Sequence, residues 1–279
     1  MPPPLPAILC LHGSGTSAEI FKIQTLRLRR ELQHRFSFVF LDGPFETSPG
    51  PGVLPVFADE GPYFTWVDPT ASDPPPRSLE RKDEDDRKRE GKRGRTQLMP
   101  KRTVDVLEEV VRRQIEKDGK GFVGVLGFSM GGRLAAGLLM EQQWRIMKEQ
   151  KTVNGEGDTN ENGVDGSTTT VDQEQTFKFG VFICGTSPPI TKLHDLLNHD
   201  SEDREEAKVR LPQIDIPTLH VLGLNDPWFT QGEVLAATHF TPAKRTVRRL
   251  EMGHHLPVQK QDNMLVVEGI LEMAKKVGV

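Results

Sequence analysis

Cysteine is nearly absent: Cys10 and Cys184 are the two in 279 residues, and each sits inside an apolar run. That pattern excludes a disulfide framework and predicts reduced, buried thiols of an intracellular protein. Apolar residues are also scarce, at 35%, against 27% charged, as if polar insertions diluted an ordinary core. No apolar stretch approaches the ~20 residues needed to span a bilayer. The first residues, Met1-Pro2-Pro3-Pro4, lack the basic and apolar regions of a secretion signal, so a cytoplasmic location with no membrane partner is expected. Positive charge is not in excess either, with 36 basic against 40 acidic residues and a formal net of −4, which speaks against nucleic acid as a partner. A small molecule is expected instead.

What is present alternates. Ala7 to Leu11 reads as a buried strand running into His12-Gly13-Ser14-Gly15, and Ile20 to Leu32 has helical spacing of apolar residues behind a capping Ser17. Ser37 to Leu41, Phe122 to Leu126, Phe179 to Cys184 and Thr218 to Gly223 read as strands, and Arg245 to Leu250 as extended. Helices are predicted from Gly131 to about Glu149, from Gly232 to His239 and from Asp262 to Val277. Strands alternating with helices imply an α/β fold: a mostly parallel sheet of about six strands covered on both faces. One domain over residues 1–279 is expected. Two segments break the rhythm. Residues 68–98 hold three consecutive prolines and, from Arg77 to Arg95, nine basic and six acidic residues, and read as a charged insertion or cap-like segment. Residues 154–174 lack Lys and Arg and carry almost no large apolar side chain, and read as a disordered acidic loop.

Between a predicted strand and a predicted helix stands Gly127-Phe128-Ser129-Met130-Gly131, a G-x-S-x-G pattern in the setting that makes it informative. A serine hydroxyl is a weak nucleophile that must be exposed on a sharp turn and activated by a base. In an α/β-hydrolase fold the base and its acid follow the nucleophile in the order acid, then histidine. Asp226 lies just after the strand ending at Gly223, with Asp215 and Asp195 as rivals, and Gly253-His254-His255-Leu256-Pro257 offers two adjacent histidines. Oxyanion donors are expected from the Met130 N–H and from the glycine-rich loop after the first strand, through Ser14 N–H or else Gly13 N–H. His12 is expected to hold that loop by hydrogen bonding. Phe45, Phe57, Tyr63, Phe64 and Trp66 suggest an apolar acyl site, with core packing as the alternative. No metal-ligand cluster and no Gly-Lys-Ser/Thr loop is seen, so no metal and no cofactor are expected.

Taken together, Leu11-His12-Gly13, Asp42-Gly43-Pro44, Gly127-Phe128-Ser129-Met130-Gly131-Gly132, Asp226-Pro227 and Gly253-His254-His255-Leu256-Pro257 resemble the FSH family of serine hydrolases through nearly the whole chain. The resemblance implies that the histidine directly after the glycine and three residues before the proline, His254, is the base, leaving His255 to line the pocket or face solvent. It implies an esterase or thioesterase, similar to fungal enzymes that release polyketide chains from carrier-bound thioesters. It places Tyr63-Phe64-Thr65-Trp66 near the pocket. The chain departs from the family at Gly185-Thr186-Ser187-Pro188-Pro189, where a Gly-Phe-Arg-like run is usual, and in the length of the charged stretch before Thr96. The same triad could pass an acyl group to an alcohol or amine instead of water. A non-catalytic interaction protein on a hydrolase fold is the remaining alternative.

Overall fold

The computed structural model describes residues 4–70, 97–153, 176–192 and 213–279. The stretches 71–96 and 154–175 lie outside the described residues, and with them most of the charged insertion expected over 68–98, the acidic loop expected over 154–174, and, further on, Asp195.

Six strands form a wholly parallel sheet: β1 (Ala7–Leu11), β2 (Ser37–Leu41), β6 (Gly124–Phe128), β7 (Phe179–Ile183), β9 (Thr218–Gly223) and β10 (Arg245–Leu250), ordered β10-β9-β7-β6-β1-β2. Three small strands of a different kind, β3 (Phe45–Thr47), β4 (Tyr63–Thr65) and β5 (Gln97–Leu98), precede β6, and β8 (Ile190–Thr191) follows β7. β3 pairs antiparallel with β4, and β5 parallel with β8.

The central strands are buried at every residue because both sheet faces are covered, and the alternation of side chains divides the core in two. Ala7, Leu9 and Leu11 of β1 join one apolar cluster with Leu107, Leu134 and Leu139. Ile8 and Cys10 join another with Phe21, Leu28, Leu32 and Val266. The helices behind these clusters are α3 (Lys101–Asp118) and α4 (Met130–Val153) on the first face, and α1 (Ala18–Gln24), α2 (Leu26–Leu32) and α6 (Lys260–Lys276) on the second. α5 (Phe229–His239) joins β9 to β10.

The structure differs from the sequence expectations in four places. The helix expected over Ile20 to Leu32 is two helices, because the Thr25 hydroxyl donates back to the Phe21 carbonyl at 2.8 Å and ends the first. β6 begins two residues later than expected, since the Phe122 side chain is buried ahead of the strand and mimics one of its members. β7 stops at Ile183 because Cys184 turns to φ 48°. α3 has no counterpart in the sequence reading, although Val104, Leu107, Val111 and Ile115 recur at helical spacing and pack on the first core cluster; it lies directly behind the charged segment, after which the sequence reading takes up again only at Phe122.

Candidate active site

All three proposed catalytic side chains stand at the carboxyl ends of parallel strands, where open α/β sheets gather their ligands. Ser129 follows β6 directly with φ 52°, a left-handed conformation unusual for a residue with a side chain. Such strain persists only where the surroundings enforce it. Here α4 starts at the next residue and lies tight on β1: a Cβ on Gly131 would stand 2.1 Å from the Leu11 carbonyl oxygen. Only glycine lets the helix approach that closely.

The acid and base loops are zipped together by the continuation of β9 and β10. Leu224 N–H donates to Leu250 O at 2.8 Å and Asn225 N–H to Met252 O at 3.1 Å. Asp226 and His254 thereby meet, with His254 Nδ1 2.8 Å from Asp226 Oδ2 and His254 Nε2 2.8 Å from Ser129 Oγ. Burial disfavours the charge on Asp226, but hydrogen bonds from His254 and from Trp228 N–H (2.8 Å to Oδ1), with attraction to His254, outweigh it and hold the carboxyl below its ordinary pKa. The His254 ring lies between Phe128, 5.1 Å between centroids, and Trp228, 4.4 Å. Trp228 was not singled out from sequence, because an isolated tryptophan beside a proline carries no pattern. Cys184 Sγ, an Asp226 oxygen and a His254 nitrogen all lie within 4.8 Å of one another. That set could ligate a soft cation. However, Asp226 and His254 already bond each other, and burial raises the thiol's pKa, keeping it protonated.

The rival Asp215 is exposed and precedes β9, at the opposite end of the strand from the site. His255 is exposed and its ring is tied into its own loop, Nδ1 to Leu256 O at 2.8 Å and Nε2 accepting from Gly253 N–H at 3.2 Å.

On the other side of Ser129, Gly13 packs so closely that a Cβ there would stand 3.3 Å from Ser129 Cβ. His12 is fully buried, and burial, working against its hydrogen bond to Gly13 O and the nearby Asp42 charge, lowers its pKa to about 4. The neutral ring donates from Nδ1 to Gly13 O at 2.6 Å and accepts Gly43 N–H at Nε2 at 2.9 Å. In a trans peptide the N–H points away from the carbonyl, so pinning Gly13 O to His12 turns Ser14 N–H the other way. Among the described residues neither Ser14 N–H nor Met130 N–H donates to a protein acceptor, whereas Gly15 N–H is taken by Phe64 O at 2.9 Å.

The aromatic candidates separate. Trp66 does not line a pocket: it is wholly buried, donating Nε1–H to His12 O at 2.7 Å with its ring 4.8 Å from the His12 ring, and its indole supports the loop after β1. Tyr63 donates its hydroxyl to the carbonyls of Phe57 and Ala58, clasping the β3–β4 connection. Phe45 is buried beneath the Arg102 guanidinium, while Phe57 and Phe64 are half-buried.

A nucleophile elbow at the carboxyl end of a parallel six-stranded sheet, with acid and histidine loops after the next strands, defines the α/β-hydrolase class. Residues 3–266 match the family model described as serine hydrolase (FSH1), and the chain belongs to that family. It is 32% identical over 267 residues to the esterase FUS5 of Gibberella moniliformis, covering 95% of this chain and 85% of that one. It is 29% identical over 276 residues to the thioesterase FSL2 of Gibberella zeae, covering 96% and 92%. The crystal structure of SOBER1 from Arabidopsis thaliana superposes with a TM-score of 0.51 at 15% identity, over 96% of this chain and 98% of that one, a likeness of fold. Among the described residues no helix is long and apolar enough to cross a membrane.

Proposed function

We propose that the protein cleaves an acyl ester or thioester through an acyl-enzyme on Ser129. The line from Asp226 through His254 to Ser129, with 2.8 Å at each link, carries this reading. Ser129 Oγ attacks the carbonyl carbon while His254 Nε2 takes its proton, and Asp226 holds the ring in the Nδ1–H tautomer and stabilises the imidazolium. Ser14 N–H and Met130 N–H receive the oxyanion. His254 then protonates the leaving alkoxide or thiolate. Water follows by the same route and clears the acyl group.

The FSH1 relatives named esterase and thioesterase support carboxylic oxygen or sulfur esters as substrates, and the acyl chain of a polyketide, free or held on a carrier protein, fits both. Half-buried Phe64 and Phe57 and the Trp228 ring over His254 are the apolar surfaces offered to such a chain. The two buried, unpaired cysteines suit work in the reducing cytoplasm. A fluorophosphonate probe should label the protein, and Ser129→Ala should abolish the label; labelling that survives the substitution would place the nucleophile elsewhere. Rates across acyl chain lengths, for matched oxygen esters and thioesters, then identify the preferred leaving atom.

A further inference from the structure

The two backbone donors assigned to the oxyanion belong to residues whose side chains converge on a third. Ser14 Oγ–H donates to Thr65 Oγ1 at 3.0 Å, and Thr65 Oγ1–H donates to Met130 Sδ at 3.3 Å. Thr65 is 2% exposed and ends β4, so this hydroxyl is buried and satisfied in both directions. The strand that carries it is anchored on every side. Thr65 pairs with Phe45 across the β3–β4 ladder, Phe64 accepts Gly15 N–H and donates to Thr16 O at 2.6 Å, and Trp66 reaches His12 O. Thr103 Oγ1 in turn donates to Trp66 O at 2.6 Å and fixes β4 to α3.

From this geometry we propose that Thr65 is a positioning residue for the oxyanion hole, tying the Ser14 loop to the start of α4 so that Ser14 N–H and Met130 N–H converge on one point beside Ser129. The proposal rests on the acyl-enzyme reading above. Serine and methionine have side chains free to rotate about two and more bonds; β1 and β6 pair as far as Leu11 and Gly127, and beyond that pairing no hydrogen bond among the described residues joins the Ser14 loop to the turn at Ser129. Past the end of the ladder, the buried hydroxyl of Thr65 supplies that connection. A hydroxyl is required because it must accept from one partner while donating to the other. An oxyanion donor acts only when it is aimed at where charge develops in the transition state, so loosening the pair weakens transition-state binding and leaves ground-state binding alone.

Thr65→Val keeps the β-branched shape and removes both bonds, and Thr65→Ser keeps the hydroxyl. With a p-nitrophenyl ester, Thr65→Val should lower kcat on the order of tenfold with KM within about twofold, a displacement of donors well under 1 Å sufficing for that loss. A trifluoromethyl ketone, which mimics the tetrahedral adduct, should lose affinity by the same factor. Thr65→Ser should restore kcat to within about twofold of the parent. Unchanged kcat in Thr65→Val, a fall confined to KM with ketone affinity intact, or a Thr65→Ser variant as impaired as Thr65→Val would each overturn the proposal. Should Thr65→Val not fold, Ser14→Ala breaks the same bond from the other end, and full activity there overturns it equally. Failure of the parent protein to take the fluorophosphonate label refutes instead the Ser129 reading on which this rests.

Discussion

Two halves of the site flank Ser129 and are built on different principles. On the β9–β10 side the proposed chemistry falls to side chains that bond one another directly, Asp226 to His254 and His254 to Ser129. On the β1–β4 side it falls, in the same proposal, to main-chain N–H groups, with side chains placed as struts: His12 on Gly13 O, Trp66 on His12 O, Thr65 between Ser14 and Met130. A side-chain relay announces itself by residue type. A backbone donor does not, because every residue but proline has one.

The sharpest way to break this contrast is at the relay. Asp226→Asn should keep the shape and lose the charge, and an amide donor facing His254 Nδ1 favours the wrong tautomer. A fall in kcat on the order of 10³- to 10⁴-fold is expected, measured as steady-state ester hydrolysis at neutral pH. If Asp226→Asn retained more than about a tenth of the activity, the acid would lie elsewhere and the two halves would not differ as described.

Struts should matter less each, because a backbone donor survives the loss of its support and is only mis-aimed. Trp66→Phe removes the indole N–H from His12 O and keeps an aromatic ring against the imidazole. It leaves a buried carbonyl unpaired, which destabilises the fold by about 1–2 kcal/mol. The same change should reduce kcat by roughly five- to tenfold, a fraction of what removing an oxyanion donor outright does. Denaturant midpoints and kcat measured on one preparation separate the two effects. A variant less stable yet fully active would make Trp66 a support of the core alone.

The same division governs what could be read before the fold was known. Ser129, Asp226 and His254 stand out because G-x-S-x-G between strand and helix, an aspartate after the next strands and a histidine in the final loop have spacings the chemistry demands, and the choice between His254 and His255 came from the family resemblance. The structure gives His255 a different occupation, within its own loop. The parallel sheet was legible for a similar reason: strands buried on both faces read as unbroken apolar runs, as in Ala7–Leu11 and Phe179–Ile183. Thr65 and Trp66 were not legible in their roles. β3 and β4 are three residues each and far apart in the chain, so no alternation betrays them. What the tryptophan touches depends on a loop more than fifty positions away; its residue type left pocket lining and core packing both open, and tertiary structure makes it a buried strut.

The smallest expected effect sharpens the comparison through pH. In the proposed mechanism His254 exchanges protons in every turnover, whereas His12 must never do so, since its Nε2 accepts Gly43 N–H and a protonated ring would turn a donor toward a donor. Burial enforces this by lowering the pKa of His12 to about 4, and it does the same to His220, to about 3, and His239, to about 4, away from the site. All three are lower than the ~6.5 of an exposed imidazole in the unfolded chain. Stability from these groups is therefore complete above about pH 6.5 and drains away as pH falls toward 4 and 3, because the unfolded chain binds protons that the folded one refuses. Thermal unfolding should shift downward by several degrees between pH 6.5 and 4.5, given that ~1 kcal/mol moves the midpoint of a chain this size by roughly 2–4 °C. Replacing His220, stacked on Phe182 at 4.7 Å and remote from the relay, by phenylalanine should flatten part of that slope and leave kcat at neutral pH unchanged. A slope identical in His220→Phe would mean that His12 and His239 carry the acid sensitivity in this range, because Asp226, whose carboxyl is held below its ordinary pKa, gives up its contribution only at lower pH.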